Sequence, residues 1–245
     1  MRDLTAITFI NKLKSYQSDS EREKISRYYK SDNPGDKVIG VRMRNTFDLA
    51  KEFRDMPPGE IEKLLDSPYY ESRMGAVSIM DFQVRGKNVT EERRRELYEL
   101  YLAKHGLLNN WDFMDRAAPR VIGSYLYDYN KPRDILYKLA QSENPWERRT
   151  AIVSTAWFVR RGELDDTFKI SELLLKDDHE YVQKAIGTWM RHAGKKDQEK
   201  LMNFLETHAA VMERQTLTTT MEKLDKKKKK YFRNKRKENL PEFEA

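Results

Sequence analysis

The chain has 245 residues, of which 36% are charged and only 38% apolar, and it carries a formal net charge of +7. It has no cysteine, which excludes a disulfide framework and a thiolate acting as nucleophile or ligand. No stretch approaches the ~20 apolar residues of a membrane span; so polar a balance suits a thin helical stack in which each helix needs one apolar stripe.

The opening residues, MRDLTAITFINKLK, include Asp3 and too short an apolar run for a secretory leader. Helical periodicity then dominates. It predicts helices near 4–16, 19–30, 45–54, 58–66, 69–85, 90–104, 111–127, 132–141, 145–161, 166–175, 179–193, 197–208 and 212–232. Lys37 to Val41 is the one β-branched run of note, and Asn33-Pro34-Gly35-Asp36 before it places it in a loop. Pro57-Pro58 and Lys131-Pro132 mark helix starts after turns. Arg93-Arg94-Arg95 and Lys195-Lys196 read as solvated helix ends, whereas Tyr125, Tyr127, Trp157 and Phe158 sit at core spacing.

The stretch Asn109-Asn110-Trp111-Asp112-Phe113-Met114-Asp115 is the most informative of the chain. Its tryptophan and second aspartate are four residues apart at a helix start, a spacing that stacks both on one face. Either that face meets a ligand, or Trp111 is a core anchor and Asp115 a solvated charge. Asp112 reads as a first-turn charge favourable to the helix dipole. Trp146-Glu147-Arg148-Arg149 and Gly187-Thr188-Trp189 are candidates for the rest of a site. Asn144, Pro145 and Glu147 together form a capping box at the start of the first of these helices. His105, His179, His192 and His208 are scattered, so neither a metal nor a cofactor is expected.

At the far end, residues 226–237 read KKKKKYFRNKRK, with nine basic residues and no acid, which leaves the remainder at −2. This segment reads as a solvated, frayed helix end, as a nonspecific phosphate-binding arm, or least readily as a membrane-surface anchor. The expected division is one repeat domain over 1–225 and a basic tail over 226–245.

Small residues expose an internal repeat. Ala76, Ala118, Ala151 and Ala185 lie 42, 33 and 34 residues apart, each followed by an apolar helical stretch. The unit is a helical hairpin, so the predicted fold is all-α, a solenoid of HEAT-like antiparallel hairpins with one concave surface. Equivalent helices should bring Asp115, Arg148 or Arg149, and Trp189 together there. A monomer is expected, because the array completes its own core.

N-N-W-D-F-M-D with A-P-R-V-I-G, then N-P-W-E-R-R-T-A-I, then V-Q-K-A-I-G-T-W-M-R-H-A-G-K resemble, in order, the AlkD-type DNA alkylation repair glycosylases over roughly residues 5–225. That resemblance implies an active surface in which Trp111 and Asp115 form the first pair and Arg149, with Arg148 beside it, supplies the arginine. Tyr28 and Arg42 match family contacts to DNA around the lesion, Arg42 replacing a common glutamine. The family reads K-A-I-G-W where this chain has Lys184-Ala185-Ile186-Gly187-Thr188-Trp189, which moves the second tryptophan ~100° around its helix.

The implied activity is hydrolysis of the N-glycosidic bond of N3- or N7-alkylated purines, such as 3-methyladenine and 7-methylguanine, in duplex DNA during base excision repair. A cationic purine departs neutral, so the enzyme has mainly to stabilise an oxocarbenium-like sugar and present a water. Asp115 suits both tasks, indole faces at Trp111 and Trp189 suit the sugar, and Arg149 suits a phosphate clamp that also favours the Asp115 carboxylate. The adduct is expected to be read in a shallow groove by its charge, without a deep base pocket. The implied setting is a bacterial cytoplasm, nucleoid-associated when DNA is bound. Thr188 and Arg42 motivate the alternative of a noncatalytic HEAT-repeat protein binding distorted or branched DNA, and a protein-interaction scaffold is a third reading.

Overall fold

The computed structural model describes residues 3–29, 31 and 33–237. Among them every regular element is helical, apart from an isolated parallel bridge between Lys37 and Tyr69. The chain divides into two compact units, with the boundary between Asn130 and Lys131.

The first unit holds α1 (Ala6–Ser15), α2 (Asp19–Tyr28), α3 (Met43–Glu52), α4 (Pro58–Leu65), α5 (Tyr70–Val84), α6 (Glu91–Ala103), α7 (Trp111–Ala118) and α8 (Ser124–Asp128). The second holds α9 (Asp134–Ala140), α10 (Pro145–Ser154), α11 (Ala156–Arg161), α12 (Asp165–Leu173), α13 (Glu180–Lys196), α14 (Gln198–His208), α15 (Arg214–Thr220) and α16 (Lys226–Lys237). Hairpins repeat within each unit. Helix α5 packs on its partner α4 and on the neighbouring α3 and α7, and α10 likewise packs on α9 and on α13.

Small side chains make these approaches possible. Ala76, Ala117, Ala118, Ala151 and Ala185 are all buried where one helix crosses the next. Gly187 goes further: a Cβ there would lie 2.9 Å from Thr219 Cβ and 3.2 Å from the Thr216 carbonyl, so its absence lets α15 seat on α13.

Three predicted helices are subdivided. Residues 111–127 form α7, a π-helical turn over Pro119–Gly123, and α8. Pro119 lacks an amide and its ring crowds the preceding turn, so the backbone widens and the Ser124 amide donates back to the Pro119 carbonyl. At 145–161 the chain turns at Thr155, whose hydroxyl donates to the Ile152 carbonyl at 2.7 Å. The predicted helix over 212–232 ends at Thr220, and α16 starts anew after Asp225, whose side chain accepts from the Lys228 amide at 2.8 Å.

Helix α16 is docked where the sequence suggested a frayed end. Phe232 is fully buried, Arg236 Nε donates to the Met212 carbonyl at 2.8 Å, and Lys235 reaches Glu206 at 2.7 Å. One buried phenylalanine is enough to seat it. The rest of the expected tail, 238–245, lies outside the described residues.

Tyr125 and Phe158 enter the core as expected, while Tyr127 and Trp157 stay half-buried. Arg93 and Arg94 are ties between helices: Arg93 donates to the Met56 carbonyl at 3.1 Å and Arg94 to Ser124 Oγ at 3.2 Å. Among the described residues no helix is long and apolar enough to cross a membrane.

Candidate functional site

Trp111 and Asp115 sit one turn apart on α7, the first half-buried and the second exposed. The other residues of the motif fix the helix start that carries this pair. Asn109 Nδ2 donates to Asp36 Oδ2 at 2.8 Å and to Ser31 Oγ at 2.7 Å. Asn110 is buried at the N-cap position and donates to Asp112 Oδ1 at 2.8 Å. Asp112 also accepts from the Tyr70 hydroxyl. Phe113 packs its ring 5.4 Å from that of Tyr70, and Met114 is buried. Five of the seven positions are thus committed to holding the helix start in place.

The anchor beneath it is a buried ion pair. Arg73 on α5 contacts Asp36 at 2.9 Å, donates to the Tyr29 hydroxyl at 2.5 Å, and donates to the Leu107 carbonyl at 3.0 Å. Burial alone would raise the Asp36 carboxyl, but bonds from Ser31, Arg73, Asn109 and Tyr29 outweigh it and hold the group down at about 2. This cage joins the end of α2, Ser31, the turn at residues 33–36, α5 and the approach to α7. Sequence reading missed it, since its members are up to 80 residues apart and no local spacing connects them.

Asp112 is more than a first-turn charge. Burial raises its carboxyl to about 6, against the opposing pull of the bonds from Tyr70 and Asn110. Through Tyr70 it connects to Tyr28, whose ring stands edge to face with that of Tyr70 at 6.4 Å. Tyr28 is still 42% exposed at the end of α2. The structure therefore links Tyr28 and the α7 start within one unit through a residue the sequence did not single out.

Arg42 occupies the N-cap position of α3, with its side chain largely exposed and Nε donating to Glu21 Oε1 at 3.2 Å. The loop before it is set by Glu71, a fully buried carboxylate that accepts the amides of Ile39, Gly40 and Val41 at 2.9, 2.7 and 3.2 Å. Gly40 allows this cradle because its φ of 97° lies in the left-handed region.

Next to Asp115, Arg116 lies between the Phe47 and Phe82 rings, 4.7 and 4.8 Å from their centroids. With Arg85 and Arg120 it converges on the fully buried Asp81. Burial, with Arg85 and Arg120 nearby, lowers the Arg116 guanidinium from its ordinary range, the Asp81 charge opposing them.

The remaining predicted residues belong to the second unit. Arg148 grips Asp177 with both faces of its fork, at 2.5 and 3.0 Å, and donates to the carbonyls of Ser142 and Glu143. The bond it donates to Asp177 raises its already high pKa. Arg149 is only 5% exposed and donates to the Tyr181 carbonyl at the start of α13. Both arginines thus tie α10 to the segment leading into α13. Beside them Trp146, His179 and Tyr181 form an aromatic cluster, with centroids 5.0 to 6.0 Å apart.

On α13, Thr188 shares a face with Tyr181, Lys184 and Lys195 by helical spacing. Trp189 is ~100° around, beside buried Ala185, with its ring 5.2 Å from that of His192. The one-residue shift read in the sequence is therefore a real change of face: Thr188 takes the middle and the indole takes the edge. Burial, with Arg191 and Lys195 nearby, lowers the His192 pKa.

Repeated helical hairpins joined through small residues define a helical-repeat protein. A family model described as DNA alkylation repair enzyme matches residues 9–224, and the chain belongs to that family. A solved structure described as a predicted DNA alkylation repair enzyme from Enterococcus faecalis is similar, with a TM-score of 0.65 over 86% of this chain and 97% of that one. Their sequences are 17% identical, so this likeness speaks for the fold alone. No curated protein matches the sequence. Membership makes the chain an enzyme of DNA alkylation repair and a DNA-binding protein.

Proposed function

We propose that the protein is a monofunctional alkylpurine DNA glycosylase that releases N3- and N7-alkylated purines, such as 3-methyladenine and 7-methylguanine, from duplex DNA. The observation that carries this reading is that Trp111, half-buried, and Asp115, exposed, stand one turn apart on one face of α7, whose start is fixed by Asn109, Asn110, Asp112, Phe113 and Met114.

A carboxylate beside an indole fits the chemistry of a departing cationic base. The glycosidic bond breaks with its electron pair going to the purine, which leaves neutral, and positive charge develops on the sugar. Asp115 stabilises that charge and takes a proton from the attacking water. Trp111 offers its π-face to the same cation. No acid is required at the leaving base, which agrees with one carboxylate on this face. In the second unit Arg149 positions the start of α13 through Tyr181, Arg148 braces the segment before it, and Thr188 and Trp189 supply contacts to DNA. Within the first unit Tyr28 and Arg42 supply contacts of the same kind.

The test is single-turnover release of 7-methylguanine from a defined duplex by the full chain, beside a duplex carrying a neutral purine adduct of similar size. Release from the cationic substrate alone is expected. Absence of release with retained DNA binding would favour the second reading, a noncatalytic protein that binds distorted or branched DNA. Thr188 at the centre of the α13 face is the observation in its favour.

A further inference from the structure

We propose that the outer face of α16 is a second binding surface for the DNA backbone, built from Lys226, Lys227, Lys230 and Arg233. It rests on the DNA-binding part of the function proposed above and is independent of its chemistry.

The cations of α16 fall into two sets. Lys228 is held by Asp225 at 3.4 Å and by Gln198 at 3.2 Å, and Lys229 donates to the Glu222 carbonyl at 2.9 Å. Lys235 and Arg236 are tied to Glu206 and to the Met212 carbonyl. These four lie on the side where Phe232 is buried. Lys226, Lys227, Lys230 and Arg233 lie on the opposite side, exposed, and none of them makes an ion pair among the described residues. Lys226, Lys230 and Arg233 recur at i, i+4 and i+7, a single row with Lys227 flanking it.

This row is unfavourable for the helix that carries it. Lys226 and Lys227 stand in the first turn, where the helix dipole repels cations and the one acid at that end, Asp225, is paired with Lys228. Lys226 and Lys230 also repel each other at i, i+4. A docked helix needs only the inner set, so the outer set serves something outside the fold.

That something is a linear polyanion. The row spans about 10 Å at 1.5 Å per residue, which matches roughly three successive phosphates of one strand at 3.4 Å of axial rise. A lipid surface fits poorly, because a membrane-bound amphipathic helix turns its apolar face to the bilayer. Here the apolar face is occupied: Phe232 is buried in the protein.

The experiment measures binding of the full chain to an unmodified duplex across a range of salt concentrations. It compares the wild type, the triple variant Lys226→Gln/Lys230→Gln/Arg233→Gln, and Lys230→Gln alone. Each phosphate contact contributes a slope of about −0.9 in log K against log salt, so the triple variant should be shallower by about 2 to 3 and the single one by about 1. Thermal midpoints should not fall below the wild type, since all three positions are exposed and the row is unfavourable for its helix. A slope unchanged in both variants would overturn the proposal. So would wild-type binding to phosphatidylserine vesicles that the triple variant loses while its DNA slope is unchanged. Because no base release is measured, a failed glycosylase assay leaves the result intact.

Discussion

Asp112 and Asp115 are three residues apart on α7 and meet opposite surroundings. Asp112 is enclosed by Tyr70 and Asn110 and its carboxyl is raised to about 6, whereas Asp115 is exposed. An aspartate raised above its ordinary value binds its proton more tightly when folded. Its contribution to stability is therefore complete below about pH 4 and is lost as pH rises through 6, a fall on the order of 2 to 3 kcal/mol. In Asp112→Asn that part of the pH dependence should vanish, so urea midpoints at pH 5 and pH 7 should converge relative to the wild type. An unaltered difference between the two pH values would remove Asp112 as its source. The opposite sign belongs to Asp36, held down at about 2: its stabilisation is present above about pH 4 and fades as pH falls toward 2. Asp36→Asn leaves Arg73 buried without its charge partner and should cost about 3 to 5 kcal/mol in denaturant unfolding at neutral pH. The spacing of Trp111 and Asp115 made their shared face legible in the sequence. The buried role of Asp112 was not legible, since its partner Tyr70 is 42 residues away.

At the scale of elements, periodicity and caps revealed nearly every helix. Asn144 accepts from the Trp146 amide at 2.9 Å, as its place before Pro145 suggested. The misread joints were all inside long apolar patterns. At Pro119 the helix widens without ending, and at Thr155 and residues 221–225 it turns while Met221 and Leu224 stay buried. An apolar stripe continues through such corners, so hydrophobic spacing alone passes over them. The 33- to 42-residue alanine spacing was a truer guide, because close helix crossings demand small residues wherever they recur. Gly187 is the strictest case. Gly187→Val should force α15 off α13 and destabilise the second unit by about 1 to 3 kcal/mol, measured as a shift in thermal midpoint. A neutral outcome would mean that Thr216 and Thr219 can withdraw at no cost. For α16 the sequence showed the charge but hid the docking. One phenylalanine in a run of lysines carries little weight in a hydropathy pattern, yet it separates the inner cations from the outer row.

For the whole molecule, family membership and an all-helical fold agree with the ordered motifs between residues 109 and 195. The repeat scaffold explains why three short motifs far apart in sequence are informative together: each opens the second helix of a hairpin or runs along it. The net charge was less informative. Nine of the basic residues sit in α16, while the body uses many of its own as buried or half-buried ties such as Arg73, Arg148 and Arg149. The central claim, that Asp115 is the catalytic carboxylate, is tested most directly by Asp115→Asn. The variant keeps the size of the side chain and removes its charge and basicity. Single-turnover release of 7-methylguanine should fall at least about 100-fold, while affinity for the same duplex stays within a few-fold of the wild type. Release at the wild-type rate by Asp115→Asn would contradict the claim and take the carboxylate out of the chemistry.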